Sequence, residues 1–394
     1  MAKREKMTVE ERYKLIRNVK AKYLRAGRKE KGEILDTLGE ATGLGRKHLI
    51  ALLKGSGPTR KKRQQQRGRR YGAKVDDAIR IIGSTLDWIC AERLTPVLAE
   101  TAQHLARHKE MTVDDELLEM LSTISISTVR RRVKHVRQDE YRLPQRKGKR
   151  RYRNSVADRI PMRVIPWDID VPGHFEVDLV HHAGADVKGE CVYTVQFIDV
   201  KTGWSIRVAV LGRSYSRMRK AFSKFQAQCP FAVIEVHSDN GPEFMNDHLQ
   251  RFFAHKFRGT QFSRSRPWQK NDNRFVEQKN YTLVRAYVGR ESFTTQEQAD
   301  LLNELYDRMS VYYNFFQPVL RQIERSVHYN ADHLPVLVRK QDTARTPLKR
   351  LIESEVLSPK MLVWLRWTYF QTNPRELRRE IQRLLGVLFD TNTK

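Results

Sequence analysis

Cysteine is scarce in this sequence, with three among 394 residues: Cys90, Cys191 and Cys229. They are odd in number, far apart and without paired metal-ligand spacing, which argues against a disulfide framework and against a zinc module. A reducing compartment, the cytoplasm, is the expected location. Long apolar runs are missing too. No stretch of about 18 apolar residues occurs, and the opening MAKREKMTVEERYKL holds nothing resembling a signal peptide. The expectation is a soluble chain with no membrane partner. Acidic residues are few beside basic ones: 46 Asp+Glu against 74 Lys+Arg, a formal net charge of +28. Such an excess says nothing of fold, but it draws polyanions at long range. The hydrophobic fraction of 40% allows sizeable cores, and the length allows several domains.

The positive charge is clustered. Residues 57–71 carry Arg60, Lys61, Lys62, Arg63, Arg67, Arg69 and Arg70 without an acid, and residues 142–153 carry Arg142, Arg146, Lys147, Lys149, Arg150, Arg151 and Arg153 without one. Together they supply half of the net excess. Blocks of like charge resist packing and read as linkers or arms along a phosphate backbone. These blocks divide the chain into a helical domain at 1–56, a basic linker at 57–73, a second helical domain at 74–141, a basic linker at 142–169, an α/β segment at 170–330 and a helical C-terminal region at 331–394.

In the first domain, Val9 to Leu24 is amphipathic through Tyr13, Leu15, Ile16, Val19 and Tyr23. A helix over about 32–39, a turn at Thr42-Gly43-Leu44-Gly45 and a helix from Arg46 to Leu53 follow. Arg46, Lys47 and His48 open the last helix, a pattern shared by helix-turn-helix DNA binders and ordinary helical hairpins. In the second domain, Ala78 to Ile89 is amphipathic, Thr95-Pro96 starts a helix, and Thr112-Val-Asp-Asp-Glu has the acids of a helix start. ISISTVRRRVKHVR then offers Ser125 or Ser127 as an N-cap before Arg130, Arg131, Arg132 and Lys134. That helix reads as a second DNA-binding helix anchored by Val129, Val133 and Val136, or else as a solvated face.

From His174 the composition changes to β-branched and aromatic runs: HFEVDLVHH, CVYTVQFIDV, WSIRVAV and, after a helix from Arg213 to Gln228, FAVIEVHSD. Three strands, a helix and a fourth strand predict a mixed α/β sheet, with Lys201-Thr202-Gly203 as a hairpin turn and Asp199 at a strand end. Three carboxylates stand out. Asp178 falls inside the first strand, where an unpaired acid is costly to bury. Asp239 follows the fourth strand, the position where α/β sheets commonly present ligand-binding groups. Glu277 falls in a predicted helix, FVEQKNYTLVRAYV, behind the polar loop SRPWQKNDN. Hard oxygen ligands suit Mg2+ or Mn2+. A pair of such ions about 3.5–4 Å apart can activate an attacking oxygen and stabilise a leaving one.

EVDLV, HSDNGPEF and SRPWQKNDNRFVEQKN together resemble the integrase-type (DDE) catalytic core of bacterial insertion-sequence transposases, relatives of retroviral integrase with a ribonuclease H-like fold. The resemblance spans roughly 170–330. It implies that Asp178, Asp239 and Glu277 are the catalytic, metal-binding triad. It also implies a DNA transposase that binds element ends, hydrolyses the 3′ ends and joins them to target DNA, with Mg2+ or Mn2+, two ions in all, as cofactor. Double-stranded DNA would be its partner, a homo-oligomeric synaptic complex its assembly and the bacterial nucleoid its place. The helical N-terminal half resembles the end-binding modules more loosely. Retroviral integrases carry a His/His/Cys/Cys zinc module that is missing here, and Trp268 and Gln269 stand where many relatives have Tyr and His. Beyond the linker cations, expected DNA contacts are Arg46, Lys47, Arg130, Arg131, Arg132 and Lys134 on the helix-turn-helix units, with Trp268, and Arg264, Arg266, Lys270, Lys279 and Arg285 near Glu277, these last five positioning DNA without reading its sequence. His181, His182 and His237 read as structural, and Glu243 as a helix-start acid. Two rival readings share the fold: a catalytically inactive DNA-binding regulator and a metal-dependent nuclease that only hydrolyses.

Overall fold

The computed structural model describes residues 7–55, 71–137, 165–166, 169–183, 190–239, 241, 243–244, 247–266, 273–329 and 335–392. The chain divides into two compact units, 1–70 and 71–394.

The first unit holds three helices, α1 (Val9–Arg25), α2 (Arg28–Thr42) and α3 (Arg46–Lys54). Thr8 and Glu11 form a reciprocal capping box at the start of α1, satisfying donors that a helix start otherwise leaves orphaned. Gly43 ends α2 in the left-handed region at φ 66°, where a side chain would be strained. Ile16, Tyr23, Leu35, Leu38, Leu49 and Leu53 close a small core. The expected turn at 42–45 and the helix from Arg46 are both present.

The second unit begins with α4 (Ala73–Thr85), α5 (Ala91–Leu94), a short 3-10 turn at Thr95–Val97, α6 (Leu98–Arg107), α7 (Asp115–Thr123) and α8 (Ile126–Val136). Asp114 caps α7 and Ser125 caps α8. The strands follow: β1 (His174–His182), β2 (Val192–Asp199) and β3 (Ser205–Leu211), then α9 (Tyr215–Gln228), β4 (Glu235–Ser238), α10 (Asp247–Lys256) and β5 (Gln261–Arg264). The five strands form one mixed sheet in the order β3-β2-β1-β4-β5. β1, β2 and β3 pair antiparallel, whereas β4 runs parallel to both β1 and β5. This is the expected mixed α/β sheet, with one strand more than the sequence pattern suggested. β5 is only four residues long and does not alternate cleanly, so periodicity passes over it.

Successive strand residues point to opposite faces. Phe197 of β2 stacks on Phe225 of α9 with ring centroids 4.1 Å apart, while Thr194 bonds the Tyr306 hydroxyl at 2.7 Å on the other face. Tyr306 belongs to α13 (Gln296–Val311), reached through α11 (Arg274–Lys279), a π-helical stretch (Asn280–Arg285) and α12 (Ala286–Val288). At the hairpin between β2 and β3, Asp199 accepts from the backbone of Gly173 and of Thr202, and Gly203 turns the chain at φ 80°.

The region after 330, expected to be helical, opens instead with a strand. β6 (Gln322–Tyr329) and β7 (Pro335–Gln341) form a separate two-stranded sheet. α14 (Pro347–Glu353), α15 (Pro359–Gln371) and α16 (Pro374–Asp390) complete the unit. Leu377, Ile381, Leu384 and Leu388 of α16 join the same hydrophobic core as the sheet and as α4 to α8.

Candidate active site

Asp178 lies in mid-strand on β1, opposite Gln196 of β2, and is half-buried. On its other side β1 runs parallel to β4, with Val177 against Ser238. The residue after each is Asp178, still within β1, and Asp239, just past the end of β4, so the register delivers the two positions to the same end of the parallel pair. Electrostatics agree with that placement. Burial, then the charge of Asp239, and also that of Glu277, push the Asp178 carboxyl up to about 8. Hydrogen bonds pull the other way: the Leu179 backbone N–H donates to Oδ1 at 2.8 Å and the Asn280 amide to Oδ2 at 2.5 Å. A like charge that raises an acid's pKa must lie close to it, so Asp239 and Glu277 both stand near Asp178.

Asp239 is oriented by the Gly241 N–H, which donates to Oδ1 at 2.9 Å. A Cβ at position 241 would stand 2.9 Å from that oxygen and 2.7 Å from Glu243 Oε1, so a larger residue there would displace one or both carboxylates. Glu243 is not at a helix start as expected, since α10 begins at Asp247. Its carboxylate is buried beneath the Asp239 turn, with Arg213 Nη1 at 3.7 Å. The backbone had to wrap past Asp239 to bring it there, which no local pattern announces.

Glu277 is exposed on α11, and the tether of that helix is Glu176. One oxygen of this buried side chain accepts from the backbone N–H groups of Phe275 at 2.8 Å and Val276 at 2.9 Å. A carboxylate at a helix start satisfies orphan donors and favours the helix dipole. Asn273 donates to the Val177 carbonyl at 3.4 Å, and Asn280, three residues after Glu277, reaches Asp178. Val276 and Leu283 pack with Ile198, Tyr313 and Val319. β1 thus carries one candidate ligand at 178 and, two residues earlier on the same face, the anchor for the helix that bears another. Sequence reasoning passed over Glu176, Asn273 and Asn280. A signal for the first existed, because a second acid within EVD, on the face of Asp178, also needs a partner when buried.

The three acids interact, but among the described residues no group of three His, Cys, Asp or Glu side chains stands in metal-ligating geometry. The donor set itself, crowded carboxylates with one neutralised by a raised pKa, is of the kind that a hard divalent cation satisfies.

His182 and His237 both bond side chains within the sheet region. His182 is buried against Thr194 Oγ1 at 2.7 Å, and burial lowers its pKa to about 3. His237 is held between Ser263 and Ser265 at 2.8 and 3.1 Å. The basic candidates divide. Lys47, Arg131, Lys134 and Arg266 are exposed. Arg46 pairs with Asp36 and Arg130 with Glu92. Arg132 is engaged by Asp76 at 2.6 Å and by the Tyr71 carbonyl. Arg264 is buried on β5, and Arg285 donates to the His181 and Gly289 carbonyls. Lys279 is half-buried, its ammonium 5.0 Å from the centre of the Tyr313 ring. Arg60, Lys61, Lys62, Arg63, Lys147, Arg150, Arg151, Trp268 and Lys270 lie outside the described residues. No helix among the described residues is long and apolar enough to cross a membrane.

No family model matches the chain. Partial likeness to solved structures covers the catalytic core domain of BIV integrase, with 16% identity, 46% of this chain, 95% of that chain and a TM-score of 0.30. It extends to a simian T-cell lymphotropic virus intasome in complex with PP2A regulatory subunit B56 gamma, with 14% identity, 56% of this chain, 69% of that chain and a TM-score of 0.31. The HTLV-2 integrase catalytic core domain in complex with magnesium matches with 15% identity, 38% of this chain, 91% of that chain and a TM-score of 0.27. Superpositions this partial leave the strand register and the carboxylate placement to carry the case. In sequence, a protein of Sinorhizobium fredii (strain NBRC 101917 / NGR234) known as the uncharacterized protein y4rM is 32% identical over 330 residues, which is 83% of this chain and 91% of the relative. The chain belongs to the same family as that y4rM protein.

Proposed function

We propose that this protein is a DNA transposase of the integrase-core kind, cutting and joining phosphodiester backbones at Asp178, Asp239 and Glu277. The observation that carries the reading is the β1–β4 register, which delivers two acids to the same end of a parallel strand pair, with a third acid on a helix tethered to the same strand. Burial first, and then the neighbouring charges of Asp239 and Glu277, disfavour the ionised Asp178, and a divalent cation would relieve both. Asp178 and Asp239 would hold the metal, with Glu277 completing its ligands as α11 closes on β1. When bound, such ions polarise the phosphoryl group and stabilise both the attacking and the leaving oxygen.

The chain's own groups do the rest. The Asn280 amide and the Leu179 N–H orient the Asp178 carboxylate, and the Gly241 N–H orients that of Asp239. The exposed cations Lys47, Arg131, Lys134 and Arg266 would take up phosphates, together with the basic linkers. Their contribution is positional and salt-dependent. The helical domains would bind the terminal repeats of a mobile element, two copies of the chain bringing two ends together.

The test incubates the full chain with Mg2+ and labelled DNA carrying the inverted repeats that flank its gene. Joined products support transposition. Cleavage without joining would mean a hydrolytic nuclease, and shifted but uncut DNA a regulator. Asp239→Asn is expected to abolish cutting and joining while retaining the DNA shift; undiminished cutting would refute the site.

A further inference from the structure

We infer that the outer face of α15 is a self-association surface whose occupant is the same helix of a second copy of this chain. α15 turns Leu365 into the core, flanked by Met361 and Tyr369. The Tyr369 ring stacks on Phe316 at 5.3 Å and lies 4.7 Å from His104. With 3.6 residues per turn, positions 363, 367 and 370 then fall on the opposite side, with 364 on its flank. All four are large and apolar: Val363 is 67% exposed, Trp364 53%, Trp367 60% and Phe370 49%. Among the described residues, the Phe370 ring is met in part by the Arg107 guanidinium at 5.2 Å and edge-on by the Tyr369 ring at 5.5 Å.

Area and symmetry decide the occupant. Each of the four leaves on the order of 100 Å² open, given that an aromatic side chain offers 150–250 Å². Two such faces pressed together therefore remove roughly 800 Å², and with the stems of Lys360, Arg366 and Gln371, all exposed, the contact approaches the about 1,000 Å² at which specific interfaces begin. Other large apolar side chains exposed among the described residues are dispersed: Val9 and Leu24 sit at opposite ends of α1, Ile126 opens α8, and Val171 and Ile234 lie outside helices and strands. A head-to-tail contact needs two different complementary patches, whereas a two-fold contact needs one patch meeting itself. Charge points the same way. Two copies at +28 each repel, and α15 carries only Lys360 and Arg366 as charged residues, so it is a face on which that repulsion is locally weak. A contact of this kind is independent of the carboxylate site and of its chemistry.

The experiment is sedimentation of the full-length, nucleic-acid-free protein over a micromolar concentration series at high salt. The wild type is expected to pass from monomer to dimer. Trp364→Ser/Trp367→Ser is expected to weaken the dimer by at least about 30-fold, the scale of losing interface hot spots, with melting temperature and circular dichroism unchanged. Val363→Glu, at the most exposed position, serves as the second variant should the double one fold poorly, and the same loss of dimer is expected. A wild type that stays monomeric throughout overturns the inference, as do variants that dimerise as tightly as the wild type. Reduced DNA affinity in the variants with unchanged sedimentation would assign the face to nucleic acid and also overturn it.

Discussion

Asp178 and Asp239 are placed by hydrogen-bonded parallel strands, whereas Glu277 is placed by a six-residue helix whose start rests on one carboxylate, that of Glu176. The strand half is fixed by a ladder in which each residue's position follows from its neighbours'. The helix half depends on a few local contacts, and its acid is exposed while Asp178 is half-buried. The contrast is a division of labour: the sheet sets one part of the candidate site through a continuous ladder, and the helix carries the part held by fewer contacts.

The comparison breaks most readily at the strand half. Asp178→Asn or Asp239→Asn is expected to lower joining in Mg2+ by at least about 10³-fold, since a metal centre contributes several kcal/mol to such chemistry. Electrophoretic mobility shift of end DNA should remain. Retained joining by either variant would remove the strand pair from the site.

Glu176→Gln sharpens the contrast. It keeps a cap of similar shape but removes the charge at the start of α11, so activity is expected to fall by about 10- to 100-fold, the range for groups that orient metal ligands. Raising the Mg2+ concentration should restore part of the loss if Glu277 is misplaced rather than removed. An equal loss at all metal concentrations would mean that Glu176 acts only on folding.

The third test reads the crowding of the acids. An acid whose folded pKa is raised to about 8 is protonated in the fold while the unfolded chain ionises. It therefore costs no stability below the unfolded value of about 3.9, costs progressively more between there and 8, and costs a constant amount above. In EDTA, Asp178→Asn should melt above the wild type at pH 9, with the gap closing toward pH 4. A gap independent of pH would show that Asp178 is not in conflict with Asp239.

The smallest effect is expected among the cations of α8. Arg131→Ala should weaken DNA binding and reduce its salt dependence by about one unit of slope without altering stability. Arg132→Ala breaks the half-buried contacts to Asp76 and Tyr71, so it should lower the melting temperature by a few degrees, roughly 1 kcal/mol for a bond to a charged group.

Much of this arrangement was legible beforehand because it rests on local signals. HFEVDLVHH and the β2 and β3 runs alternate or saturate with β-branched residues, Ser125 and Asp114 announce helix starts, and Gly43 and Gly203 occupy turns that need positive φ. β5 escaped notice because four residues are too few to show a period, whereas β6 and β7, eight and seven residues long, were passed over although their length is that of β2 and β3. Arg132 and Arg264 read as free cations because charge in a sequence does not reveal which acid or carbonyl folds back onto it. Glu243 was assigned to a helix start when in fact the chain buries it under the Asp239 turn.

By itself the sequence determined which residue types were available and on what elements they sit: two aspartates on or beside strands, a glutamate on a helix, and basic blocks that suit a polyanion. Local propensity and side-chain chemistry act over a few residues, so these are readable without a fold. Only the tertiary structure decided that Val177 faces Ser238, that Glu176 holds the start of α11, and that the two tryptophans of α15 face outward. Register, docking and exposure are relations between segments tens to hundreds of residues apart, and they are settled by which packing buries the most apolar surface while leaving no polar group unpaired.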